Sequence, residues 1–285
     1  MSQLSSASVN YQPEHAKARA DFWPEFVDAQ KRWQIEESFW RGLVDQYGIR
    51  VLDTCSGAGV EAIGLSQMGC DVTANEEDPF LRDVLQVNLD DSNLVLPVTD
   101  LKWKNLAENL PEESFDMLLC VGNSLTYLFT REDQLLALHN FKRLLKKGGV
   151  LVLDERNYMP IKRRVEETLA KGKPLEYTSS CGNGSPMYCG ETIVAYPVQV
   201  NESGTYTFHY KRIPKLDSAQ EIRGQVGDVL TENREPVAVE MYPFSVLEVG
   251  GLLQQVEFER VATFSDLEPG ISRSAHFYQH LAIKG

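Results

Sequence analysis

The chain has 285 residues, 42% of them hydrophobic and 24% charged, the composition of a soluble globular protein with a full core and room for one or two domains. Its 28 Lys+Arg against 41 Asp+Glu leave a net charge of −13, so a polyanion would meet repulsion and nucleic acid is excluded as the expected partner. The five cysteines form no C-x-x-C pair, the start has no apolar run of signal-peptide type, and no window approaches a bilayer span, so a cytoplasmic protein with reduced thiols and no membrane contact is expected.

Between Ala16 and Tyr47 the apolar positions Phe22, Phe26, Trp33, Phe39, Trp40 and Leu43 recur at helical intervals among charges, predicting an N-terminal helical segment. IRVLD (49–53) reads as a short strand, followed by a glycine-bearing turn and a helix, VEAIGLSQMG (60–69), that closes at a glycine. The pattern repeats in DVTAN (71–75) and PFLRDVLQVNL, where Pro79 suits a first helical turn. LVLPV (94–98) is expected to be a third strand, and FDMLLCVG (115–122) is an apolar run typical of a strand buried on both faces. REDQLLALHNFKRLLKKGG (131–149) predicts an amphipathic helix stopped by Gly148 and Gly149, with VLVLDE beginning the next buried strand. Alternating strands and helices predict an α/β fold with a doubly wound, mostly parallel sheet.

Beyond Met159 the character changes. Residues 160–186 are charged and then Gly/Ser-rich, whereas ETIVAYPVQV, GTYTFHYK and PVAVEMYPF alternate as strands, predicting an antiparallel β lid. The polar stretch 211–236 reads as a long loop or a partly disordered segment. A helix at 245–255, a strand at 257–264 and a last strand, AHFYQHLAIK, would complete the first sheet. The expected division is an N-terminal helical segment (1–48), an α/β core (49–158), a lid (159–243) and a closing helix with strands (244–285).

In a doubly wound sheet the ligand lies beyond the carboxyl ends of the strands, so the residues after each strand are the candidates. The first strand leads into Asp53-Thr54-Cys55-Ser56-Gly57-Ala58-Gly59, whose glycines let a ligand approach the backbone at a helix N-terminus. An isolated G-x-G also serves an ordinary tight turn. Glu76, 17 residues beyond Gly59, stands where a carboxylate can accept both hydroxyls of a ribose. Gly57-x-Gly59-x-x-Ala62 matches the dinucleotide fingerprint as well, but Asp53 would repel a pyrophosphate and suit an ammonium or sulfonium. It could equally be a helix-capping acid. S-adenosylmethionine, which carries adenine, ribose, an amino-acid tail and a cationic sulfur but no phosphate, fits this set. Asp100 could meet the adenine amine, with Leu101 and Trp103 covering the ring, Trp103 being equally suited to the core.

Two further clusters follow buried strands: Gly122-Asn123-Ser124-Leu125-Thr126-Tyr127-Leu128 and Asp154-Glu155-Arg156-Asn157-Tyr158. A guanidinium at Arg156 can hold a carboxylate in a bidentate fork, the alternative being a surface ion pair with Asp154 or Glu155. Tyr127, Tyr158, Tyr188, Tyr210 and Tyr242 fall in loops or lid strands that could close on a cleft, where aromatic faces attract a sulfonium, or could simply pack. The five histidines show no ligand spacing with a third partner, and no metal is expected.

VLDTCSGAGVEAIGL, FDMLLCVGNSLTYL and GGVLVLDERNY resemble the class I S-adenosylmethionine-dependent methyltransferases, specifically the glycine and glycine/sarcosine N-methyltransferases. The likeness runs on through MYCGETIVAYP to YPFSVLEVGGLLQQVEFERVATFSDLEP. It implies a seven-stranded Rossmann-like sheet, S-adenosyl-L-methionine as cofactor and S-adenosyl-L-homocysteine as product. It also implies that Arg32 and the Gly57–Gly59 turn hold the methionine part, that Glu76 takes the ribose, and that Asp100 and Leu101 flank adenine. Asp53, Trp23 and Cys120 belong to the same expected cofactor set. Asn123 would lie beside the substrate amine, Arg156 would bind its carboxylate with Asn157 in support, and Tyr127 and Tyr158 would line the acceptor. Tyr188, Tyr210 and Tyr242 align with lid tyrosines around the transferred methyl, and Tyr11 with a mobile N-terminal tyrosine. Tyr127 replaces a frequent histidine, and Leu101 a frequent tryptophan.

The reaction so implied is an in-line displacement in which the neutral amine of glycine or sarcosine attacks the sulfonium methyl, with alignment rather than a covalent intermediate supplying the rate. Betaine synthesis is the implied setting and a homo-oligomer is compatible with it. The alternatives are a methyltransferase of the same fold acting on another carboxylate-bearing small amine, a protein that binds the cofactor without turnover, and a nicotinamide dehydrogenase.

Overall fold

Strand β5 (Leu145–Arg156) explains how one apolar run serves two cores. In the computed structural model, which describes residues 13–175, 193–212 and 236–285, Leu151 and Leu153 pack on one side of the sheet and Val150 and Val152 on the other. All four are fully buried. Each such side chain contributes roughly 1.5–3 kcal/mol by leaving water, and burial on both faces accounts for the absence of polar alternation.

Around β5 the parallel strands β1 (Arg50–Asp53), β2 (Asp71–Asn75), β3 (Val98–Thr99) and β4 (Phe115–Cys120) assemble in the order β3-β2-β1-β4-β5. On the far side of β5 come β11 (Phe277–Ile283), β9 (Arg260–Ser265) and β10 (Glu268–Pro269), with β11 antiparallel to both β5 and β9. The sheet has eight strands rather than the expected seven because the two-residue β10 folds back on β9. Crossing helices α3 (Val60–Gln67) and α4 (Pro79–Asp91), together with α2 (Ala29–Tyr47), cover one face; α6 (Arg131–Leu144) and α8 (Val246–Gln255) cover the other. The short α5 (Leu106–Asn109) adds Leu106 to the second core. A capping box in which Ser245 and Glu248 exchange hydrogen bonds starts α8.

The N-terminal segment is two helices, α1 (Pro13–Val27) and α2, parted at Asp28, whose φ of 48° leaves helical space and whose carboxylate accepts from the Lys31 amide. Helix α2 lies close enough to α3 that a β-carbon at Gly64 would overlap the Trp33 ring.

Three sequence expectations change. The helix from Arg131 ends at Leu144, and Lys146–Gly149 belong to β5: Leu145 already pairs with Phe115, and a bulge before Met117 takes up the extra residues. The backbone there is crowded, since a β-carbon at Gly149 would stand 2.9 Å from the Lys146 carbonyl oxygen. The third strand shrinks to Val98–Thr99 because Pro97 has no N–H for the ladder and offers only its carbonyl, to Ala74 at 2.9 Å. The charged stretch after Met159 contains a helix, α7 (Met159–Ala170), whose apolar stripe buries Val165 alone.

The lid strands form a separate antiparallel sheet in the order β6 (Ile193–Val200), β7 (Tyr206–Arg212), β8 (Val237–Met241). Its Ile193, Tyr206, Phe208 and Tyr210 pack with Phe22 and Phe26 of α1 and with Tyr158 and Phe277 of the main sheet. Among the described residues no helix is long and apolar enough to cross a membrane.

Candidate active site

The candidate residues follow β1, β2, β4 and β5, and α1 reaches them through Trp23 beside Gly57 and Arg19 beside Asp78 and Tyr127. The fully buried Asp53 ends β1. One of its oxygens accepts from the Cys55 amide at 3.3 Å, and the other, Oδ2, is buried with no hydrogen-bond partner. Burial lifts this carboxyl to about 6, against the opposing pull of the Cys55 amide, Ser56 and Arg32. The turn then places Gly57 at φ 53° and Gly59 at φ 91°, both left-handed. The Gly57 amide donates to Glu76 Oε2 at 2.7 Å and the Asp78 amide to Glu76 Oε1 at 2.9 Å, so the Glu76 carboxylate joins the glycine turn to the start of α4. Burial raises Glu76 to about 7. The indole nitrogen of Trp23, on α1, lies 3.6 Å from the place a β-carbon of Gly57 would take.

Two residues that sequence reasoning missed organise this end. Asn75 donates to the carbonyls of Thr54 and Leu101, each at 3.0 Å, while its own oxygen accepts from the Thr99 hydroxyl and the Leu101 amide. Arg19 of α1 reaches Asp78 at 2.5 Å and sits 5.6 Å over the Tyr127 ring. Asx side chains after strands and cations on a helix flanking the glycine turn are the signals that could have flagged them. Leu101 is half-buried against the core, whereas Asp100 is exposed, 4.0 Å from Arg82. Trp103 donates to the Thr54 carbonyl at 2.8 Å and packs edge-on against Phe141, so its indole belongs to the core. Cys120 is buried at the end of β4, and the neighbouring Cys55 thiol, which it faces, is pushed well up by that contact and by burial.

Arg32 is buried on α2. Its Nε donates to Glu36 at 2.8 Å and its Nη2 to Glu61, while Glu36 also accepts from Trp40. Burial nevertheless raises Glu61 to about 8 and Asp154 to about 6, and Arg32 opposes the rise at Glu61, Asp53 and Asp154. One guanidinium thus serves several buried carboxylates, an environment short of positive charge.

At the ends of β4 and β5 the two loops interlock. Asn123, at φ 62°, donates its amide to Asp154 Oδ1 at 2.6 Å, accepts from the Arg156 amide at 2.9 Å and donates through Nδ2 to the Tyr158 hydroxyl at 2.7 Å. Tyr158 is itself buried against Thr126 and Met241, and burial raises its phenol. The Arg156 guanidinium lies 5.4 Å over the Phe277 ring. Asn157 bonds the carbonyls of Arg273 and Ala275, tying β5 to the approach of β11. Tyr210 stacks on Phe22 at 5.4 Å, and Tyr242 points its hydroxyl at Glu248 while its carbonyl receives Thr126. Asn123, Arg156, Tyr158 and Thr126 therefore come together, with Tyr127 beside them; Tyr210 and Tyr242 lie in flanking packing. Tyr188 and Tyr11 lie outside the described residues.

Residues 51–149 match the family described as a methyltransferase domain. The chain is 28% identical to the glycine/sarcosine N-methyltransferase of Parasynechococcus marenigrum (strain WH8102), over 96% of this chain and 86% of that one. It is 26% identical to the enzyme of the same name from Aphanothece halophytica, over 97% and 92% of the two chains. In fold it resembles an S-adenosylmethionine-dependent methyltransferase from Clostridium acetobutylicum with a TM-score of 0.66 at 13% identity, covering 94% of this chain and 98% of that one. The sheet order, with a glycine turn after its first strand, is that of the class I methyltransferase fold. Over residues 51–149 the chain is similar to methyltransferase domains, and the relatives it matches over nearly its full length are named glycine/sarcosine N-methyltransferases.

Proposed function

We propose that the protein N-methylates a small amino acid, glycine and/or sarcosine. The observation that carries this reading is the match over 96% or more of the chain to relatives of that name, joined to a guanidinium, Arg156, whose backbone is bonded directly to the Asn123 side chain. S-adenosylmethionine, when bound, supplies an electrophilic methyl group. The residues present fit such a cationic cofactor: Asp53 Oδ2 is a buried carboxylate oxygen without a partner, the Gly57 turn has no side chain to obstruct approach, and Glu76 stands ready to exchange its backbone donors for ribose hydroxyls. Arg32, already bound by Glu36 and Glu61, balances the carboxylates around the amino-acid end. Trp23 covers the turn, with Leu101, Asp100 and Cys120 around the base.

On the acceptor side Arg156 takes the substrate carboxylate. Asn123 and the Gly122–Asn123 carbonyls orient the amine, and Tyr127 and the lid tyrosines Tyr188, Tyr210 and Tyr242 close the pocket. Holding the amine nitrogen in line with the methyl within about 3–3.5 Å is the main source of rate in such a displacement. Supply of methylated glycine to betaine synthesis belongs to the same proposal.

The test is release of S-adenosylhomocysteine with glycine, sarcosine, dimethylglycine and a panel of amino acids, products being identified by mass. Turnover of glycine or sarcosine is the expected result, and the product mass gives the number of methyl groups added. Turnover with a different carboxylate-bearing amine alone would refute the substrate and direct attention to Tyr127.

A further inference from the structure

We infer that Asp154 is a positioning residue for the methyl acceptor, acting through Asn123; this deepens the functional reading above and rests on it. Three hydrogen bonds support it. Gly122 at φ 75° and Asn123 at φ 62° are consecutive left-handed residues, a conformation asparagine adopts more readily than most non-glycine residues and which is further held here. The fixing group is the fully buried Asp154 carboxylate, which accepts the Asn123 amide at 2.6 Å. A charged acceptor on a backbone amide makes a short, strong bond. With its backbone pinned, Asn123 reaches back to the same strand: its side-chain oxygen accepts the amide of Arg156, two residues beyond Asp154, at 2.9 Å, and its nitrogen donates to Tyr158 at 2.7 Å.

The loops after β4 and β5 are therefore bonded reciprocally, Asp154 to the backbone of 123 and the side chain of 123 to the backbone of 156. Arg156 cannot shift against Asn123 without breaking this pair. Asp154 is placed to do this without occupying the acceptor pocket itself. Its second oxygen has no hydrogen-bond partner, and burial raises the carboxyl against the pull of Arg32 and of the Asn123 and Gly122 amides, so the carboxylate is retained in a costly setting for the bonds it makes to the loop.

The experiment compares Asp154→Ala, Asp154→Asn, Asn123→Gly and the double variant Asp154→Ala/Asn123→Gly. It measures acceptor KM and kcat, cofactor Kd by calorimetry, and amide hydrogen exchange at residues 123 and 156. Losing a charge-assisted hydrogen bond predicts about a 10-fold or greater rise in acceptor KM for Asp154→Ala, with cofactor Kd changed less than about 3-fold. Asp154→Asn keeps an oxygen for the Asn123 amide and should stay within about 3-fold of wild type in KM. The double variant should be no worse than the worse single, as for residues acting as one unit. Exchange at both amides should speed about 10-fold in Asp154→Ala.

A cofactor Kd that rises in step with acceptor KM would overturn the inference. So would an Asp154→Asn as impaired as Asp154→Ala, multiplicative effects in the double variant, or unchanged exchange. Should Asp154→Ala not fold, Asp154→Ser, whose hydroxyl is too short to reach the loop, replaces it with the same expectations. Wild-type turnover of glycine and sarcosine is measured on the same preparation. Its absence counts against the functional reading alone, because the exchange measurement needs no acceptor.

Discussion

Replacing Asp53 by Asn separates charge from shape at the heart of the cofactor turn. The side-chain oxygen can still accept the Cys55 amide, but the negative charge is gone. Burial carries Asp53 from its ordinary 3.8 to about 6, a rise of roughly two pH units, so keeping it ionised costs the free protein about 3 kcal/mol at 1.36 kcal/mol per unit. Because the folded protein holds this proton more tightly than the unfolded chain, the residue's contribution to stability is favourable at low pH. It declines as pH rises from about 4 to about 6, so the full cost is present at pH 7. Asn removes that dependence but puts an unpartnered N–H2 where Oδ2 was, returning about 1–3 kcal/mol. Denaturant unfolding at pH 4.5 and 7.5 should therefore show wild type losing more stability between the two than the variant does, by about 2 kcal/mol. Calorimetric titration should show the variant binding S-adenosylmethionine at least about 10-fold more weakly, and wild-type affinity weakening below about pH 6. Wild-type affinity in the variant, with superimposable pH profiles of stability, would refute the reasoning.

Arg156→Ala should raise the acceptor KM by about 10-fold or more while leaving cofactor affinity nearly unchanged, as steady-state kinetics beside calorimetry would measure. Gly64→Ala forces a methyl into the Trp33 ring and should lower stability by about 1–3 kcal/mol, visible as a lower Tm. His280→Leu strands Glu155, which is buried with His280 3.2 Å away and whose carboxyl burial already raises. A loss of about 3–5 kcal/mol is expected, and Glu155→Gln in the same chain should recover part of it.

Much of the sheet could be read from the chain because the buried strands are short apolar runs set off by glycines and Asx residues; β2 was bounded to the residue. The site's candidates were likewise found because a doubly wound sheet fixes where to look. What the sequence did not disclose is how those side chains are used. Tyr158 and Tyr210 have the composition of lid residues, yet one is bonded to Asn123 and the other is stacked on Phe22 of α1; those contacts join segments far apart in sequence. The sequence leaves Trp103 open between covering a base and joining the core, and its N–H bond to the Thr54 carbonyl decides for the core. Gly148 and Gly149 read as a helix stop because paired glycines usually end a helix, whereas pairing of Leu145 with Phe115 draws them into the strand. Helix α7 escaped because one buried residue leaves almost no periodic signal.

The place of β11 in the sheet sets an order of events for synthesis. It is the last strand in the described chain, yet it lies inside the sheet, with β5 along one edge and β9 along the other. A nascent chain can pair β1 to β5 as each emerges, but the β9–β10 pair has no strand joining it to β5 until β11 leaves the ribosome. Until then the side of β5 near Arg156 is an open edge, exposed to pairing with other chains. Slow translation or truncation near the end of the chain is thus expected to promote aggregation far more than the same delay in the lid.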